Sequence, residues 1–253
     1  GLKENRYSID GTMISLGEID MKDMYIEDSG DFVLYLGGTK ESKNFLAMPK
    51  NTNMLIVRQT YKERMNQTHA KINIKTISAK AYPELLNSDQ LENQLNQSLA
   101  FVRGTASTFL IWVKDFKKNH RNCLPLGDQS FFQAAGGDPK ICYLHGYYDF
   151  NKDECMQIST NIPDCEYWNF QLENFWMESL DYRHYPIHIN DSSAIVKKDK
   201  SITITVSHFP INIENNLITE GRNNGAMLLR WIDAKNNPIP EVKIKKIDSI
   251  EMN

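Results

Sequence analysis

The chain has 253 residues, of which 41% are hydrophobic and 24% charged, and its formal net charge is −3. These values are typical of a soluble globular protein. The charges are interspersed, which argues against a nucleic-acid partner, and no apolar run approaches the roughly 20 residues of a membrane span. The chain begins at Gly1 without a signal-peptide pattern, so the sequence does not decide between a secreted and a cytoplasmic location.

Residues 1–80 are predicted to form an N-terminal β module. The apolar run at 32–36 ends in Gly37-Gly38, which is typical of a strand followed by a turn. Residues 54–61 are rich in β-branched and aromatic side chains, and 69–77 alternate between apolar and polar residues. Both patterns favour strands, the second with one face in water.

Residues 81–122 are predicted to be a helical connector packed on the sheets. Apolar residues recur at steps of three and four from Leu91 to Phe116, which predicts an amphipathic helix over 88–119. Asn87 and Gln90 are spaced for a capping box at its start. We expect one apolar face to lie against a sheet, formed by Leu95, Leu99, Val102, Phe109 and Val113.

Residues 123–253 are predicted to form a C-terminal β module, with its densest aromatic and charged run at 166–190. Read with a period of two, this run has one apolar face, made of Trp168, Phe170, Leu172 and Trp176. The opposite face includes Asn169, Gln171 and Glu173. Such alternation predicts a half-buried strand whose polar face either binds a ligand or simply meets solvent.

A second strand is predicted from residue 179, ending near Pro186, which cannot donate to a ladder. On a strand, Asp181 and Arg183 would point the same way. The overall prediction is a mainly β protein, with jelly-roll-like β-sandwich modules and one long amphipathic helix between them.

Neither a metal nor a cofactor is predicted. The sequence lacks the phosphate-binding glycine loops and the H-E-x-x-H zinc motif. The four cysteines contain no C-x-x-C pair, and we expect buried free thiols. His184 and His188 would lie ~13 Å apart on a strand, too far to share one metal.

Several motifs in the second half are shared, in order and spacing, with one family. They are Gly136-Gly137-Asp138-Pro139, Gly146-Tyr147-Tyr148-Asp149 with Asp153-Glu154, Pro163 to Leu172, Glu178 to Arg183, Asn190, and Gly225 leading to Arg230-Trp231. Over about residues 100–250 the chain resembles the C-terminal part of the family called domain of unknown function 1214. The resemblance implies a β-rich, jelly-roll-like fold and no established reaction.

The chain departs from this family in the loop at 212–224. Relatives usually have an Asn-Trp-Leu run followed by a Gly-His pair. Here the equivalents are Asn215-Asn216-Leu217 and Gly221-Arg222. A ligand specificity that depends on this loop would therefore differ in this chain.

Two functions are compatible with these residues. The first is an enzyme acting on a small polar or carbohydrate-like substrate, with Asp181 and Glu173 as acid–base candidates. Its ligand-binding residues would be Asn169, Gln171, Arg183, Asn190 and Arg230. The alternative to these catalytic and binding roles is a structural Asp–Arg pair, with Arg230 neutralising a buried carboxylate. The second function is a non-catalytic module that binds a glycan or assembles with other subunits.

Overall fold

The computed structural model describes residues 15–38, 42–50, 52, 54–77 and 85–250. Its helices are α1 (Ser88–Asn119) and α2 (Gln129–Ala134), with 3-10 turns at Met21–Asp23 and Ile247–Ser249. The strands are β1 (Tyr35–Leu36), β2 (Phe45–Leu46), β3 (Ile141–Asp149), β4 (Glu154–Asn161), β5 (Tyr167–Leu172), β6 (His188–Asn190), β7 (Ser201–Ser207), β8 (Asn216–Ile218), β9 (Asn224–Ile232) and β10 (Glu241–Lys246). The mainly β prediction with one long helix is confirmed.

The chain divides into two compact units. Unit 1 takes the described residues within Gly1–Gln59, Ala70–Thr105 and Ser130–Gly137; unit 2 takes Thr60–His69, Ala106–Gln129 and, within Asp138–Asn253, the described residues. In unit 1, β1 and β2 form a short parallel pair. All strands from β3 onward belong to unit 2.

Unit 2 contains a β-sandwich of two four-stranded sheets. One sheet has the order β3-β9-β5-β6 and the other β10-β4-β7-β8. The chain passes repeatedly between the sheets, and every pairing is antiparallel except that of β7 with β8. This crossing order is of the jelly-roll type, in which non-consecutive strands become neighbours.

The core lies between the inner faces of these sheets. From β5 it receives Trp168, Phe170 and Leu172, each at most 2% exposed, as the alternation predicted. Ile202 and Ile204 of β7 face them from the other sheet. Trp176, in contrast, is 50% exposed because β5 has already ended at Leu172 and the chain has turned.

Two glycines, Gly146 within the edge strand β3 and Gly225 near the start of β9, allow close approach of neighbouring backbone. A Cβ on Gly225 would lie 2.3 Å from the carbonyl oxygen of Glu173, and one on Gly146 would lie 2.2 Å from that of Cys123. Both distances are shorter than any van der Waals contact, so no side chain fits at either position. Gly225 therefore fixes how closely β9 approaches the residue that follows β5.

The long helix has its predicted bounds, and its capping box forms. The Asn87 Oδ1 accepts from the Gln90 amide at 2.8 Å, and the Gln90 Oε1 accepts from the Asn87 amide at 3.0 Å. The predicted buried face is wrong in its first half: Leu95, Leu99 and Val102 are 63%, 50% and 63% exposed. Burial begins only near the end of the helix, at Val113 and Phe116.

Three predicted strands are also absent from the described residues. Residues 54–61 and 69–77 contain no strand, and neither does 179–186; the short strand β6 begins only at His188. Alternation selects which side chains share a face, but a strand also needs a neighbour to accept its hydrogen bonds.

Within the described part of the chain, no helix is long and apolar enough to cross a membrane.

Candidate functional site

The outer face of the β3-β9-β5-β6 sheet carries two rows of side chains that run across the strands. Strand register defines the first row as Tyr143, Arg230, Asn169 and Asn190. It defines the second as His145, Leu228, Gln171 and His188. Because alternate residues of a strand point to opposite faces, both rows point away from the core.

The end of α1 covers the β3 side of this face. The Phe116 ring stacks on the His145 ring with centroids 4.8 Å apart, and the Nδ1 of His120 lies 3.0 Å from the carbonyl oxygen of His145. Burial, together with smaller contributions from the charges of Arg230 and His120, lowers the pKa of His145 to about 3. The His145 imidazole is therefore neutral at physiological pH.

Arg230 and Asn169, both predicted to bind a ligand, meet at the centre of the face. The Nη1 of Arg230 donates to the Oδ1 of Asn169 at 3.2 Å. The Nδ2 of Asn169 lies 3.5 Å from the Tyr167 hydroxyl. Arg230, Asn169 and Gln171 are all partly exposed, so a small molecule can reach them.

Glu173 lies at the end of this face, directly after β5, and is 3% exposed. Burial raises the pKa of its carboxyl to about 7, and the positive charge of Arg230 acts in the opposite direction. Its backbone is held firmly, because its N–H donates to the Ala226 carbonyl at 2.9 Å and its own carbonyl accepts from the Tyr148 hydroxyl at 3.3 Å. Its Oε2 accepts no hydrogen bond from the described residues.

Asp181 and Arg183 lie in a turn rather than on a strand. The Asp181 Oδ1 accepts from the Arg183 backbone amide at 3.1 Å, a contact typical of aspartate-led turns. The two side chains form a bidentate pair, with Nε–Oδ1 at 2.9 Å and Nη2–Oδ2 at 3.0 Å. The strand expected to bring this pair beside Asn169 does not exist, so the structure does not add it to the two rows.

Asn190 is 3% exposed and has hydrogen bonds on both side-chain atoms. Its Oδ1 accepts from the backbone amides of Ser192 and Ser193 at 3.1 and 3.0 Å. Its Nδ2 donates to the carbonyl of Lys62 at 2.9 Å and lies 3.2 Å from the Tyr167 hydroxyl. Asn190 thus shapes the turn after β6 and fastens the segment 60–69 to the sheet edge.

Other residues of the face were missed by sequence reasoning. His145 and Tyr143 alternate along β3, which was a usable signal that both point outward from the core. Lys62, whose ammonium lies 2.6 Å from the Asp191 carboxylate, is 129 positions away from it in the chain and gave no local signal. Among the described residues, no group of three or more His, Cys, Asp or Glu side chains could hold a metal ion.

A groove of about 250 Å³ lies beside the start of β5. Its walls include Ile162, Val196 and Trp168, and Tyr167 and Asp191 stand at its polar side. The groove does not include Asn169, Gln171 or Arg230. It is therefore a feature separate from the polar rows, joined to them through Tyr167.

Fold and outer face together define a jelly-roll-type β-sandwich with a polar sheet face that holds a buried carboxyl. No family model matches the chain, and no curated protein matches it. It is similar to the crystal structure of an uncharacterised protein from Burkholderia cenocepacia, with 35% identity and a TM-score of 0.92, over 99% of this chain and 69% of that one. The chain belongs to the same family as that protein.

A solved protein from Vibrio parahaemolyticus also matches, with 15% identity and a TM-score of 0.36. The match covers 64% of this chain and 47% of that one. At this level of similarity it adds nothing to the description of the fold.

Proposed function

We propose that this protein is an enzyme acting on a small polar or carbohydrate-like substrate, with Glu173 as the residue that transfers a proton. The observation that supports the proposal is the environment of Glu173: a carboxyl 3% exposed, held by its backbone, with one oxygen that no described residue hydrogen-bonds. Burial raises its pKa to about 7. A group that titrates near neutral pH can both accept and release a proton, as a general acid–base catalyst must.

The neighbouring polar groups fit a substrate rich in oxygen atoms. Arg230 supplies a guanidinium, and Asn169 and Gln171 supply amides that can donate and accept. Asp181 and Arg183 have no part in this proposal, because each already satisfies the other's charge. Asn190 supports the site indirectly, because its hydrogen bonds to Lys62, Ser192 and Ser193 fix the end of the edge strand β6.

The proposal is tested by hydrogen exchange at carbon. Protein in D₂O is incubated separately with dihydroxyacetone, glucose, pyruvate and 2-oxoglutarate, and loss of the exchangeable C–H signal is followed by proton NMR. We expect exchange above the buffer rate with at least one probe, and loss of that exchange in Glu173→Gln, which keeps the shape of the side chain but cannot accept the proton.

Glu166→Gln provides the control, because it makes the same substitution at an exposed carboxyl one residue before β5. This variant should retain the wild-type rate. Wild-type protein that exchanges none of the four probes, or Glu173→Gln that exchanges as fast as wild type, would contradict the proposal.

The groove beside β5 favours a second function, a non-catalytic module that binds a glycan or assembles with other subunits. Its apolar walls with Tyr167 and Asp191 at one side suit an amphipathic ring, which offers both an apolar face and hydroxyls. Glucose that shifts the amide signals of 162–168 and of no residue in the polar rows would support this function. No shift in the groove would count against it.

We also propose that the resemblance to domain of unknown function 1214 reflects common descent. It is supported by the order and spacing of the shared motifs, of which Gly225 and Arg230 lie on β9. A solved structure of a protein assigned to that family should carry its equivalent glycine and arginine on the strand that pairs with β5. An unrelated strand order there would refute common descent.

A further inference from the structure

Arg230 is a guanidinium with unused hydrogen-bonding capacity. Its side chain has five N–H donors. Among the described side chains, it donates a hydrogen bond to the Asn169 Oδ1, at 3.2 Å. It forms no ion pair with any carboxylate of the described residues, although it lies on the central strand β9 and is partly exposed. A planar fork of free donors beside an amide is the arrangement that binds a carboxylate, sulfate or phosphate group.

Glu173 acts on the same region from the end of the face. Arg230 is near enough for its charge to lower the pKa that burial raises in Glu173. An ionised Glu173 would therefore repel an anion held by Arg230, whereas a protonated Glu173 would not. Ionisation of Glu173 therefore weakens the binding of an anion to Arg230, and a bound anion disfavours ionisation of Glu173.

We propose that the outer face of the β3-β9-β5-β6 sheet binds a small anionic group on Arg230, and that it does so more tightly when Glu173 is protonated. The inference rests on the proposed function, whose substrate it identifies as a compound with a carboxylate or a sulfate- or phosphate-type group. Anion binding and proton transfer are linked, because an anion on Arg230 stabilises the protonated carboxyl.

Other titratable groups around Glu173 do not produce this pH dependence. From β3, Tyr148 has a pKa raised by burial, and His145 has one lowered to about 3, so neither changes charge near neutral pH. On β6, burial and then the charge of Arg64 lower the pKa of His188 below its usual 6.5. The carboxylate of Glu220, whose charge also acts on Tyr148, is paired with the guanidinium of Arg222. Of these groups, Glu173 is the one whose pKa lies near neutral.

Sulfate is the probe, because it keeps a constant charge over this pH range. It is titrated into the protein at constant ionic strength, at about pH 6.5 and about pH 8.5, and the Arg Nε–Hε signals are followed by NMR. Repulsion between two like charges on the same partly exposed face predicts sulfate binding roughly threefold to tenfold weaker at the higher pH. Acetate, a carboxylate, should show the same direction.

Three variants separate the contributions. Arg230→Gln should weaken sulfate binding at least tenfold. Arg230→Lys keeps the charge and the fold but loses the planar fork, and should bind with intermediate affinity. Glu173→Gln should bind sulfate equally at both pH values, at least as tightly as wild type at the lower pH. The control is Arg121→Gln, which removes an exposed arginine paired with Asp149 and should leave binding unchanged.

The inference is overturned if sulfate fails to bind the wild-type protein, if both Arg230 variants bind as wild type does, or if Glu173→Gln keeps the pH dependence. These outcomes are separable from the fate of the proposed function. Exchange of carbon-bound hydrogen without sulfate binding would support the enzymatic function and refute the anion site. Sulfate binding that depends on Glu173, without exchange, would support the anion site and refute the enzymatic function.

Discussion

The hydrogen bonds of Asn190 give this residue a structural role. It was predicted to bind ligand, but its buried amide holds the turn at 191–193 and the carbonyl of Lys62. The run Asn190-Asp191-Ser192-Ser193 has the composition of an asparagine-led turn, so this role was readable locally. The contact with Lys62 was not readable, because it joins residues that only the fold brings together.

Asn190→Ala should therefore act on stability. It leaves several buried partners without a hydrogen bond, and each such loss costs about 1–3 kcal/mol, although the losses overlap. We expect the free energy of unfolding in urea to fall by about 2–4 kcal/mol. Asn236→Ala, at an exposed position, should change it by less than about 0.5 kcal/mol. An equal effect of the two variants would show that Asn190 does not hold the sheet edge.

At the scale of elements, periodicity predicted α1 and β5 well and their surroundings poorly. Steps of three and four predicted helix bounds that the structure reproduces, but they did not tell which half of the apolar face would be covered. For β5, the tryptophan and phenylalanine faced inward as alternation requires. Asp181 and Arg183 were misplaced because a local hydrogen bond between them favours a turn over a strand.

The uneven burial of α1 gives a direct comparison between two of its apolar residues. Phe116 is 3% exposed and stacks on His145, so Phe116→Ala should lower the free energy of unfolding by about 3–5 kcal/mol. Leu99 is 50% exposed, and Leu99→Ala should cost about 1 kcal/mol or less. Chemical denaturation of both variants measures the two values. A larger loss for Leu99→Ala than for Phe116→Ala would contradict the burial of the helix end.

At the scale of the whole molecule, sequence predicted the class of fold but not the strand order that brings the residues of the outer face together. Asn169 and Arg230 are 61 positions apart and meet because β9 pairs with β5. No local pattern specifies that pairing. The raised pKa of Glu173 likewise depends on burial by distant segments, which no sequence window around residue 173 contains.

The pH dependence of stability gives a whole-molecule readout of two buried groups. The pKa of Glu173 is raised from 4.5 to about 7, so the folded state binds more protons between these values, and stability is lost as pH rises through them. The total is about 3 kcal/mol. Because Glu173→Gln cannot titrate, we expect its stability relative to wild type to increase between pH 5 and pH 8 in urea unfolding. A constant difference over that range would contradict the raised pKa.

His145 changes the pH dependence of stability in the opposite direction to Glu173. Its pKa falls from 6.5 to about 3 on folding, so the unfolded state binds more protons between these values, and stability is lost as pH falls below about 6.5. His145→Phe keeps an aromatic ring against Phe116 but cannot take up the proton. Its loss of stability between pH 6.5 and pH 4 should be smaller than that of wild type. An identical acid dependence in both proteins would show that His145 does not titrate in this way.

The central claim is that Glu173 exchanges a proton near neutral pH, and that the nearby charge of Arg230 lowers the pKa of this carboxyl. The most direct measurement is a carbon-13 NMR titration of the glutamate side-chain carboxyls, with the Glu173 signal assigned by its loss in Glu173→Gln. We predict a midpoint near pH 7 in the wild-type protein and a higher one in Arg230→Gln, because the guanidinium lowers the pKa of this carboxyl. A Glu173 midpoint at the ordinary glutamate value, unchanged by Arg230→Gln, would contradict the claim.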